Sequence, residues 1–83
     1  MVECKKNVGR YIRRWCFLHS VSKSEFRDGI GLSKGVDPFK YEGVSLKRYF
    51  AICEFMSERS SLPVEFYMHR IKSVLQGDYQ WER

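Results

Sequence analysis

Eighty-three residues suffice for one folded domain and are too few for two, so every element has to contribute to a single core. A hydrophobic content of 43% with 16% aromatics excludes a disordered chain, and three cysteines without a C-x-x-C pair exclude a disulfide framework and a zinc knuckle, which favours a reducing cytoplasm. The net charge of +5 is unevenly placed: residues 1 to 48 carry eleven Lys or Arg against five Asp or Glu, a balance of +6, whereas residues 49 to 83 carry four against five, a balance of −1.

A basic half of this kind attracts polyanions, nucleic acid first among them. No apolar run approaches the roughly 18 residues of a membrane-crossing helix, and the basic start lacks a signal-peptide hydrophobic stretch. A cytoplasmic protein with no membrane partner is therefore expected.

Along the chain, Val8, Tyr11, Ile12, Trp15 and Cys16 recur at helical spacing, with Asn7 placed to cap the helix and Arg10, Arg13 and Arg14 turned to solvent. Ser22-Lys23-Ser24-Glu25 is a capping-box pattern that opens a second helix carrying Phe26 and Ile30 inward; Gly29 weakens it and Gly31 ends it, with Leu32 plugging the turn. A short third helix, Pro38 to Glu42, is expected behind Asp37 as cap, because proline is tolerated in a first helical turn.

Ser45 caps a fourth helix with Leu46, Tyr49, Phe50, Ile52, Cys53, Phe55 and Met56, apolar on more than one side. After the break at Ser60, Ser61 and Pro63, a fifth helix follows from Val64, Tyr67, Met68, Ile71 and Leu75 to the stop at Gly77. Residues 78 to 83 form a short tail whose Tyr79 and Trp81 are expected to dock on the domain or on a partner. The whole, residues 1 to 83, reads as one compact all-α domain of five helices.

The register from Val21 to Ser33 resembles the helix-turn-helix of the lambda-repressor and Cro-like (XRE-type) family. Val8 to Arg14 looks like that family's first helix, Tyr41-Glu42-Gly43 like the close of its recognition helix, and Ser45 to Met56 like its fourth helix. Arg27 stands where the family prefers Ala, and the recognition segment, with Gly35, Asp37 and Pro38, is one residue longer than the pattern.

The resemblance implies a lambda-repressor-like domain that regulates transcription by binding double-stranded DNA in a sequence-specific manner, in a bacterium, phage or other mobile element. It places Ser22 and Lys23 near a phosphate and Ser33, Lys34 and Lys40 in or beside the major groove, with Arg10 and Lys47 completing the candidate set. Without Arg, Gln or Asn between Ser33 and Gly43, two-point reading of bases has few donors and intrinsic specificity should be modest. The surplus of apolar residues after Leu46 leads us to expect a homodimer.

Other chemistries find little footing. Trp15, Tyr49, Phe50 and the stripe of the fifth helix read as core, not as a base-stacking platform. His19 and His69 are isolated, Cys16 and Cys53 read as small buried hydrophobes, and no phosphate loop, nucleophile elbow or paired-carboxylate signature is present. We expect no enzyme, metal or cofactor. The competing class is a small helical interaction or inhibitor protein that uses a degenerate helix-turn-helix to grip a protein partner.

Overall fold

Residues 7–40 and 44–80 are described by the computed structural model, and they form four α-helices and one turn of 3-10 helix, with no strand among them. The helices are α1 (Asn7–Leu18), α2 (Lys23–Gly29), α3 (Leu46–Ser60) and α4 (Val64–Gln76), and the 3-10 turn, Pro38–Lys40, lies between α2 and α3. None of the helices is long and apolar enough to cross a membrane.

The local signals act as expected at most boundaries. Ser22 and Ser45 have extended backbones, and their hydroxyls accept hydrogen bonds from the Glu25 and Arg48 amides at 3.1 and 3.3 Å, satisfying donors that a helix start leaves unpaired. Gly31 and Gly77 take positive φ of 79° and 83°, reversing the chain after α2 and α4. Between α3 and α4, Ser61 itself adopts the left-handed conformation, φ 66°, and Pro63 precedes the first turn of α4.

The core is built from the face of α1 that the spacing predicts, Val8, Tyr11, Ile12, Trp15 and Cys16, closed by Phe26 and Ile30 at α2, by Ile52, Cys53, Phe55 and Met56 from α3, and by Tyr67, Ile71 and Val74 from α4. The Trp15 ring meets Phe55 at 6.1 Å and Tyr67 at 6.3 Å edge-on, and Phe26 meets Phe55 edge-on at 5.1 Å, the arrangement that ring quadrupoles favour. The Trp15 indole N–H, buried, donates to the Tyr67 hydroxyl at 3.1 Å, which donates to Ser60 Oγ at 2.8 Å, which in turn donates to the Met56 carbonyl at 2.7 Å. Tyr79 folds back half-buried with its ring edge-on to Tyr11 at 5.3 Å, so that part of the tail docks on its own domain; Trp81 lies outside the described residues.

Three expectations need correction. In place of the third helix, Pro38 to Glu42, the described residues hold only the single turn Pro38–Lys40; Tyr41 and Glu42 lie outside them. Pro38 is fully buried in this turn, which packs against α1. Phe50 is no core residue, being 43% exposed, and Leu75 is likewise exposed at the end of the α4 stripe. Arg27, where the family pattern prefers Ala, lies largely covered, its Nε buried with no hydrogen-bond partner among the described residues and 3.9 Å from Asp28.

Gly29 has a use that helix propensity does not suggest. A Cβ at this position would run into the Phe55 ring, and that ring is held by Trp15 and Phe26 and cannot yield. Gly29→Ala is therefore expected to lower stability by about 1–3 kcal/mol, the cost of overpacking, although alanine is the better helix former. Gly35→Ala, whose Cβ meets nothing within 4 Å, should change it by less than about 0.5 kcal/mol. Urea unfolding midpoints of the two variants check the contrast.

Candidate nucleic-acid interface

Of the seven residues singled out for DNA, the fold brings three into one neighbourhood. Ser22 caps α2, Lys23 is its first residue, and Lys40 ends the 3-10 turn. They are drawn together by Asp37, whose carboxylate accepts from the Phe39 amide at 3.0 Å and lies 3.5 Å from Lys23 Nζ. Lys23 also sits 5.5 Å from the centre of the Phe39 ring.

Partial desolvation opposes ionisation of Asp37, but the Phe39 amide, Lys23 and Lys40 outweigh it and hold its carboxyl below the usual carboxylate range. The group is thus charged at neutral pH, and Lys23 is released by protonating it in acid or by screening the exposed pair with salt. Sequence reasoning misses Asp37 as part of this surface, since its signal, an Asx residue before proline, points to a cap and not to a counter-charge for Lys23.

Ser33 and Lys34 are exposed in the loop that joins α2 to the 3-10 turn, where the Ser33 carbonyl accepts from the Val36 amide at 3.1 Å. Lys34 and Lys40 form no ion pair among the described residues. The start of α2 itself offers little to a phosphate: the helix has seven residues, and the Ser22 hydroxyl already occupies the Glu25 amide.

The remaining two belong to other surfaces. Arg10 lies on the outer face of α1, where Arg10, Arg13, Arg14 and Phe17 line a shallow groove of about 310 Å³. Arg13 and Arg14 share this stripe by helical spacing and carry the same chemistry as Arg10, yet the family pattern draws attention to Arg10 alone. Phe17 at the end of the stripe is 83% exposed. Lys47 is exposed on the first turn of α3, beside Arg48, whose Nη1 donates to the Ile30 carbonyl at 3.0 Å and so ties the start of α3 to the end of α2.

Several other cations are likewise engaged in structure. Arg59 pairs with Glu25 at 2.6 Å and lies over the Phe55 ring, and Arg70 lies 4.7 Å over the Phe66 ring. His19 stacks on Trp15 at 4.4 Å, and no group of three potential metal ligands occurs among the described residues. Comparison of the chain with protein-family models, with curated proteins and with solved structures gives no match.

Among the described residues, Cys16 and Cys53 offer no activated nucleophile. Burial, reinforced by Glu25 beside Cys16 and by Glu54 beside Cys53, pushes both thiols up to about 11. At pH 8 only about one thiol in a thousand is then ionised, so Cys16 and Cys53 should resist iodoacetamide in the native protein and react on unfolding. Peptide mass mapping of the alkylated positions reads this directly.

Proposed function

We propose that the chain binds double-stranded DNA as a regulator of transcription, holding the duplex by its phosphates and not by a helix laid deep in the major groove. The observation that carries this reading is the pair of exposed lysines, Lys23 and Lys40, gathered about Asp37 at the α2 start and the 3-10 turn, with Lys34 exposed in the loop between them. The described part of this segment is one turn of three residues, fewer than the three or four side chains with which a recognition helix reads base edges, whereas exposed lysines suit phosphates at almost any register. Regulation, and the phage or mobile-element setting, rest on the helix-turn-helix resemblance. Selectivity is expected to come from the shape of the duplex as much as from its bases.

A second reading is favoured by Phe17: an aromatic side chain so exposed at the end of an arginine stripe suits an acidic, partly apolar protein surface. In that case the chain is an interaction or inhibitor protein that docks through α1.

Gel shifts on duplex DNA at two salt concentrations separate the two. Changing Lys34 and Lys40 together to Ala should weaken duplex binding and reduce the slope of log K against log salt by about 0.9 for each phosphate that is no longer neutralised. Asp37→Asn should act in the opposite direction, strengthening binding by freeing Lys23, while Arg70→Ala and Lys72→Ala leave it nearly unchanged. A folded double lysine variant that binds duplex as well as the parent rules out Lys34 and Lys40 as the contact residues, and a folded parent that does not bind duplex at low salt rules out the DNA reading and leaves the α1 surface as a protein-docking site.

A further inference from the structure

Leu46, Lys47, Phe50, Glu54 and Glu58 are all exposed, and their spacing keeps them on one third of the α3 circumference. Leu46 is 70% exposed and Phe50 43%, and beside them the start of α3 and the end of α4 enclose an open groove, with Tyr49, Met68 and Leu75 on its walls. Two large apolar side chains next to a groove that is apolar apart from Lys72 make a face that water solvates poorly.

The charges along this face run in order: basic at its beginning, acidic further on. Lys47 comes three residues before Phe50 and Glu54 four after it, on the same edge of the helix. With a rise of about 1.5 Å per residue they stand about 4.5 Å and 6 Å on either side of Phe50. Turned end over end about a two-fold axis near Phe50, the face therefore meets its own complement, apolar on apolar and Lys47 against Glu54 at both ends. A self-complementary patch is what a two-fold interface requires and what an unrelated partner would have no need of. A domain of this size also buries little of its own surface and gains from a second copy.

We propose that a second copy of this chain docks on this face, the two α3 helices packing antiparallel about Phe50, with Leu46 and Phe50 of each covered and Lys47 of each paired with Glu54 of the other. The pairing goes beyond DNA binding and does not depend on it. It removes Lys47 from the surface available to nucleic acid and spends it on self-recognition, and it leaves the Lys23, Lys34 and Lys40 edges of both copies exposed.

Sedimentation equilibrium of the full chain without DNA tests it, with circular dichroism verifying the fold of every variant. The parent is expected to dimerise within tens of micromolar, and Phe50→Ser to raise the dimer Kd at least about a hundredfold. Because Lys47 and Glu54 are exposed and outside the core, their exchange keeps the test open even should Phe50→Ser unfold. Lys47→Glu and Glu54→Lys should each raise Kd about tenfold, two rim pairs being replaced by two repulsions, and the two changes in one chain should return it to within about threefold of the parent. A parent that is monomeric at these concentrations, as it would be if the face serves a different protein, overturns the proposal. So does a folded Phe50→Ser that still dimerises, or a double exchange no better than the singles.

Discussion

Burial of Trp15 is the constraint on which the rest of the fold depends. An indole N–H taken out of water needs an acceptor, and the acceptor here is the hydroxyl of Tyr67 on a different helix. That hydroxyl needs an acceptor in turn, finds Ser60 Oγ, and the chain of donors ends on the Met56 carbonyl one turn back in α3. Three helices are thereby fixed in register by polar geometry, while the rings of Phe26 and Phe55 fill the space around the indole and fix the fourth. The close approach of α2 to Phe55 follows, and with it the exclusion of any side chain at position 29.

The same packing decides what is available at the surface. Pro38 is drawn into the core against α1, so the segment that would carry a recognition helix is folded inward and its polar residues are left at the rim. Asp37 then turns its carboxylate toward Lys23 and partly neutralises the edge it helps to build. On the proposed DNA reading, a surface so arranged suits contacts spread over several phosphates, since each lysine contributes a little and lysine lacks the planar fork for two-point contact with a base.

The helical class and the inward faces of α1 and α4 are legible in the sequence because periodicity reports burial directly: Val8, Ile12, Tyr67 and Ile71 are where their spacing puts them. Caps at Ser22 and Ser45 and the reversals at Gly31 and Gly77 are legible because each is a local hydrogen-bonding or steric event. The 3-10 geometry at Pro38–Lys40 is not legible because proline is equally suited to the first turn of an α-helix and to a buried 3-10 turn. Phe50 is misread because an apolar residue one turn from Leu46 looks the same whether the helix face meets the core or solvent. The grouping of Lys23 with Asp37 and Lys40 is not legible at all, since it depends on the path of the chain between Gly31 and Pro38.

The hydrogen bond from Arg48 to the Ile30 carbonyl pins together two residues eighteen positions apart, and Pro38 fastens the stretch between them at about its middle. What would be one long excursion is thus divided into two short closures, each of which begins and ends on the packed body. Lengthening a closed loop is inexpensive, about 0.6 kcal/mol for each doubling, so the exposed positions Ser33, Lys34 and Gly35 tolerate change that Leu32, Phe39 and Val44, packed against the core, do not. New recognition is therefore more readily acquired at these exposed positions than anywhere the Trp15 core reaches.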